Sequence, residues 1–185
     1  MGNLCDRLRV LVCVAIVAVA HGAAYAQPTD AEVKAEFVER IIRFVDWDPK
    51  SLGDDFVACI VGNSPQTPFL QKIAKVRKLK DRRTQIVLVA PDKLDKLASC
   101  HAVVIGDVDK KQFGAVLART AGRPVLTIAD APGAAAAGAI INFYVEDDHV
   151  HYEINVRAAE DSGLVLRAKL LRLARIIGER ERRGG

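Results

Sequence analysis

The chain predicts an α/β fold: a single-domain sandwich with a largely parallel sheet, a C-terminal antiparallel hairpin and helices on both faces. Three observations carry this. Short continuous apolar runs recur: FVACIVG at 56–62, QIVLVA at 85–90, HAVVIGD at 101–107 and PVLTIAD at 124–130. Runs of that length are strands buried on both sides. Segments with apolar residues at helical spacing lie between them, which is the pattern of βαβ units. Beyond residue 139 the pattern becomes two strand-like runs around Asp147-Asp148, which reads as a hairpin.

The elements follow in order. Thr29-Asp30-Ala31-Glu32 has the form of a capping box. Val33, Phe37, Ile41, Phe44 and Val45 continue at helical spacing, and the helix should stop near Trp47 because Asp48 precedes Pro49. A second helix opens at Thr67-Pro68 and carries Phe69, Ile73 and Val76. A short helical stretch covers 94–98. Phe113, Val116 and Leu117 mark another helix, stopped by Gly122. The hairpin strands are expected at 139–146 and 149–155, a short helix at 158–161 ends at Gly163, and a last helix spans 165–177. The small-residue stretch GAAAAGAI, 133–140, reads as an adaptable loop or as a place of close backbone approach.

The first residues stand apart. Arg7 and Arg9 precede the apolar run Val10–Ala20, and Ala24-Tyr25-Ala26 supplies small residues at an A-x-A site. This predicts a secretory signal peptide over 1–26, cleaved after Ala26. The run is short for a membrane span. The remaining chain is about one domain long, with 27–180 as the folded unit and 181–185 as a frayed tail. The whole chain is +4, and removing Asp6, Arg7 and Arg9 leaves about +3. That mild charge and the export signal argue against nucleic acid as a partner. Two cysteines remain, Cys59 and Cys100. In an oxidising compartment they read first as a disulfide closing a loop of about 40 residues, and second as two separately buried thiols.

No arrangement for catalysis emerges. There is no G-x-S-x-G, G-x-G-x-x-G or Walker pattern. His149, His151 and Glu153 leave one face of a strand, and these are ordinary zinc ligand types. Val150, Tyr152 and Ile154 occupy the other face, so the stretch reads as a half-buried strand with a wet side rather than a metal site. No cofactor is expected. Glu153 and Asn155 are structural candidates, bonding locally or capping the next helix. Asn63 and Ser64 follow the first buried strand and Asp130 follows the fourth. Loops at that edge of a parallel sheet are ligand-binding candidates. Lys169, Arg172 and Arg175 form a basic stripe on the expected last helix. Arg43, Trp47, Arg172 and Arg175 are the candidates for a protein interface.

The order of segments resembles the YfiR family of small exported bacterial proteins. The resemblance rests on VKAEFVERIIRFVDWDP (33–49), FVACIVG, SCHAVVIG (99–106), VLTIAD (125–130) and YEINVRAAEDSGLVLRAKLLRLARII (152–177). It covers nearly all of the chain after residue 26. It implies an α/β sandwich in the periplasm and a regulator rather than an enzyme. The implied partner is the periplasmic domain of a membrane-bound diguanylate cyclase or related sensor, with an outer-membrane lipoprotein as antagonist. A homodimer and disulfide-linked stability are also implied. The chain departs from the family pattern at Ala134, Ala137-Gly138 and Arg167-Ala168, and lacks a second cysteine pair near the hairpin. These differences bear on partner surfaces, not on the fold. The alternative reading is a small-molecule binding module using Asn63, Ser64 and Asp130.

Overall fold

A computed structural model describes residues 27–178. The predicted signal peptide and the predicted tail at 181–185 lie outside the described residues. Helix α1 spans Asp30–Arg43. It is followed by β1 (Val45–Asp46), β2 (Asp55–Val61), α2 (Thr67–Val76), β3 (Arg83–Val89), β4 (Ala102–Ile105), α3 (Lys110–Thr120) and β5 (Leu126–Ala129). Then come β6 (Ile141–Glu146), β7 (His149–Asn155), α4 (Val156–Asp161), β8 (Val165–Leu166), α5 (Ala168–Leu171) and β9 (Arg175–Ile177). Single 3-10 segments cover 49–51 and 94–99.

The main sheet has seven strands in the order β3-β2-β4-β5-β6-β7-β9. The first five are parallel. β7 returns antiparallel to β6, and β9 lies parallel to β7. This is the expected architecture. The apolar runs are continuous because both faces of the central strands are covered. Phe56, Ala58 and Ile60 of β2 point into a core under α1 and α2, whereas Cys59 and Val61 point into a second core under α3 and the 94–99 segment. β4 divides its residues the same way, with Ala102 and Val104 on one side and Val103 and Ile105 on the other. Cys59 and Cys100 are joined across the second core with Cα atoms 5.9 Å apart.

The helix starts follow their caps. The Thr29 hydroxyl accepts from the Glu32 N–H (3.3 Å) at α1, and Asp109 and Gln112 form a full capping box at α3. Asn155 accepts from the Ala158 N–H (2.9 Å) and caps α4, the structural role expected of it. In the small-residue loop, Ala135 and Ala139 are fully buried, and the Asn155 Nδ2 donates to the Ala135 carbonyl (2.8 Å). Close approach, not mere adaptability, explains that composition.

Two expectations fail at elements that pair at long range. The first helix ends at Arg43, before Trp47, because Val45 and Asp46 pair with Leu166 and Val165. The expected last helix over 165–177 does not exist as one element. Its ends are strands β8 and β9, and only Ala168–Leu171 is helical. The basic stripe of Lys169, Arg172 and Arg175 is therefore broken up.

Candidate partner-binding face

The sequence candidates fall into three places. Trp47 is core: it is 6% exposed, its ring meets Phe56 edge-on at 5.4 Å, and its Nε1 donates to the Pro124 carbonyl (2.9 Å). It leaves the list of exposed contact residues. Arg43 lies on α1 beside a groove. Arg172 is exposed at the end of α5. Arg175 sits apart, on β9, where its guanidinium lies 4.3 Å from the centre of the Tyr144 ring and faces Glu146 and Glu153.

The groove lies between α1 and the α5 region and encloses about 420 Å³. Phe37, Phe44 and Leu170 form its apolar surface, and Tyr152 lies beneath. The helical spacing of Phe37, Ile41 and Phe44 puts the aromatic pair on the same side of α1. Tyr152 is buried on β7 and donates its hydroxyl to the Leu170 carbonyl (3.1 Å), fixing α5 against the sheet. Burial pushes the Tyr152 phenol above its ordinary pKa. Leu173 stands at the rim with 70% of its surface exposed.

The rim is basic. Arg40 lies over the Phe37 ring at 6.0 Å and Lys169 over the Phe44 ring at 5.3 Å. The Arg43 Nε donates to Glu39 (2.5 Å), and its other end reaches the Lys78 carbonyl (3.3 Å). Glu39 is buried between Arg43 and Arg77, so it is an internal counter-ion. In an unbroken helix over 165–177, Leu173 falls on the apolar stripe and Lys169 on the basic one. Their convergence depends on the break in the last helix, which leaves no local signal.

The ligand-loop candidates are drawn together and occupied internally. The Ser64 hydroxyl bonds to Gln66, the Gln66 amide donates to Asp130 (3.1 Å), and Lys34 donates to Asp130 at 2.8 and 2.7 Å. Ser64 and Gln66 are buried. The strand order reverses between β2 and β4, where open α/β sheets have their binding crevice. Here that place is closed. The Asp107 N–H donates to the Asn63 carbonyl (2.6 Å), and a Cβ on Gly106 would overlap that carbonyl. His149, His151 and Glu153 do share one strand face, but each has its own neighbour. His149 meets the Asp147 carbonyl, His151 stacks on Tyr144 at 5.5 Å, and Glu153 faces Asn142 and Arg175.

The fold is a doubly wound α/β domain that presents an apolar groove with a cationic rim. The family model described as YfiR/HmsC-like matches residues 31–175, and the chain belongs to that family. The family is one of periplasmic regulators of cyclic di-GMP signalling. No curated protein matches the chain. A solved structure, a conserved domain protein from Vibrio cholerae O1 biovar El Tor, is similar with a TM-score of 0.52 at 11% identity. The match covers 80% of this chain and 60% of that one, and at that identity it shows the fold alone. No helix among the described residues is long and apolar enough to cross a membrane.

Proposed function

We propose that this protein is a periplasmic inhibitor of an inner-membrane diguanylate cyclase, or of a related sensor, acting by docking on that partner's periplasmic domain. Docking that favours the inactive arrangement shifts the partner's population without any chemistry by the regulator. The observation that carries the reading is the α1/α5 groove, with exposed Leu173 beside Phe37 and Phe44 and with Arg40, Arg43 and Lys169 around it. Such a surface suits an apolar segment flanked by acidic residues, with aromatic and arginine contacts at its centre. The reading takes the regulator to be a homodimer and an outer-membrane lipoprotein to be the antagonist that withdraws it. Small-molecule binding at the sheet edge finds less support, because Ser64, Gln66, Asp130 and Lys34 satisfy one another there.

The test is cellular cyclic di-GMP with and without the gene. Deletion is expected to raise it, and the exported protein alone to restore it. An unchanged level in cells that express the protein would contradict the reading.

A further inference from the structure

One side of β6 is open beyond its short pairing with β5. β5 and β6 pair only at Ile128–Ile141 and Ala129–Asn142, yet β6 runs on to Glu146. Residues 143–146 therefore have β7 on one side and, among the described residues, no strand on the other. The direction of the amides follows from one bond. The Asn155 N–H donates to the Ile140 carbonyl (2.9 Å), and hydrogen-bonded pairs alternate along an antiparallel ladder. Asn142, Tyr144 and Glu146 thus turn their amides toward β7, while Phe143 and Val145 turn theirs outward; the parallel Ala129–Asn142 pair takes the Phe143 N–H, which leaves the Phe143 carbonyl and the Val145 N–H and carbonyl open.

The chain after β5 does not extend this ladder. The Ala131 N–H donates to the Asn142 side chain (3.2 Å), and the loop turns away. What remains is a cleft of about 410 Å³ between Asp130–Gly133 and the outer part of β6. Val145 is 49% exposed there. Phe37 packs on Phe143 and Tyr152, so the α1/α5 groove lies across the hairpin from the Asn142, Tyr144 and Glu153 side chains that face this cleft.

The surroundings are acidic, opposite in sign to the chain as a whole. Asp130, Glu146, Asp147, Asp148 and Glu153 supply carboxylates. Lys34 and Arg175 are engaged with members of that set, and Lys110 lies on the far side of Ala131–Gly133, so carboxylates still outnumber cations. A short strand edge with the Val145 N–H and two carbonyls open, an exposed β-branched side chain and a negative surround fits one kind of occupant. We propose that a short, extended, basic segment of a partner protein adds to the edge of β6 as an extra strand. Two copies of this chain meeting at the same edge would bring like charges together, which disfavours self-pairing.

The test uses the ¹⁵N-labelled protein from Gln27 onward and the peptide acetyl-Lys-Val-Lys-Val-Lys-amide. Saturable amide shifts are expected at Tyr144–Glu146 and Asp130–Gly133. Binding should weaken at least tenfold when glutamate replaces lysine in the peptide, or in the Val145→Pro variant. Proline there removes an outward N–H and no internal hydrogen bond, and circular dichroism checks the fold. If that variant does not fold, peptides N-methylated along one edge or the other replace it, and only one of the two patterns should abolish binding. The proposal is overturned if no saturable shift appears at millimolar peptide or if shifts map elsewhere. It is equally overturned if the glutamate peptide binds as well, or if Val145→Pro instead abolishes self-association in sedimentation.

Discussion

Lys34 Nζ lies 2.7 Å from Asp130 Oδ2, joining α1 to the loop after β5 across 96 residues of sequence. The lysine side chain is 11% exposed and the carboxylate one-third exposed, so water screens the pair only in part. Asp130→Ala leaves a largely buried ammonium without a counter-ion and should lower stability by about 2 kcal/mol. Lys34→Met should cost less, about 1 kcal/mol, because its stem still packs and Asp130 keeps the Gln66 amide. Urea denaturation of both variants and the double variant gives the coupling. Strictly additive losses would show that the two groups do not interact.

Gly106 and Gly114 make a matched pair. A Cβ at 106 would run into the Asn63 carbonyl, while nothing lies within 4 Å at 114, inside α3. Gly106→Ala should therefore cost about 2–4 kcal/mol. Gly114→Ala should add about 0.5–1 kcal/mol through helix propensity. Equal midpoints for the two variants would contradict the close packing of the 62–64 and 106–107 loops.

The hairpin turn is strained. Asp147 and Asp148 both have positive φ, 50° and 58°, the backbone of a two-residue turn that favours Asn-Gly. Replacing Asp147 with Asn and Asp148 with Gly should stabilise the fold by about 0.5–1 kcal/mol. The denaturation midpoint should rise with an unchanged slope; a lower midpoint would mean that the aspartates make contacts worth more than the strain.

His101 makes stability depend on pH. Burial holds its imidazole below the ordinary pKa, with Arg82 acting in the same direction and a backbone hydrogen bond with Ser51 opposing. The neutral ring accepts the Val57 N–H at Nδ1 (2.9 Å). The unfolded chain binds the proton more readily, so this contribution is full above the unfolded pKa of about 6.5. It is lost as pH falls from there through the lowered folded value. Melting temperature should drop as pH is taken from 7.5 to 5. His101→Asn, which keeps an acceptor near the Val57 N–H, should flatten that drop; an undiminished slope would assign the effect to other groups.

The central parallel strands are legible because they are buried on both faces and write themselves as unbroken apolar runs; the run at 85–90 has the same form but becomes edge strand β3, with Leu88 54% exposed, because an edge position is set by non-local pairing. The caps at Thr29 and Asn155, the Asp147-Asp148 turn and the Cys59–Cys100 pair are also readable, since each depends on residue chemistry at a known place. The last helix misleads for a physical reason. Leu170, Leu173, Ala174 and Ile177 satisfy helical spacing, but β1 takes Val165 and Leu166, and β7 takes Arg175 to Ile177. Those pairings are non-local, and local periodicity does not record them. The groove inherits the same difficulty, because Phe37 and Leu173 meet only after that break. Trp47 read as an interface anchor because its aromatic neighbour in the fold, Phe56, and its hydrogen-bond acceptor, Pro124, lie outside its own segment.

In the proposed function the α1/α5 groove docks a membrane partner and holds down cyclic di-GMP. The direct measurement is cellular cyclic di-GMP in a deletion strain carrying either the wild-type gene or a Lys169→Glu/Leu173→Asp variant, exported to equal levels and folded. Both substituted side chains are exposed, so the fold should tolerate them. The account predicts that the wild type restores the low level and the variant leaves it raised. A variant that restores it as fully as the wild type would contradict the assignment of this face.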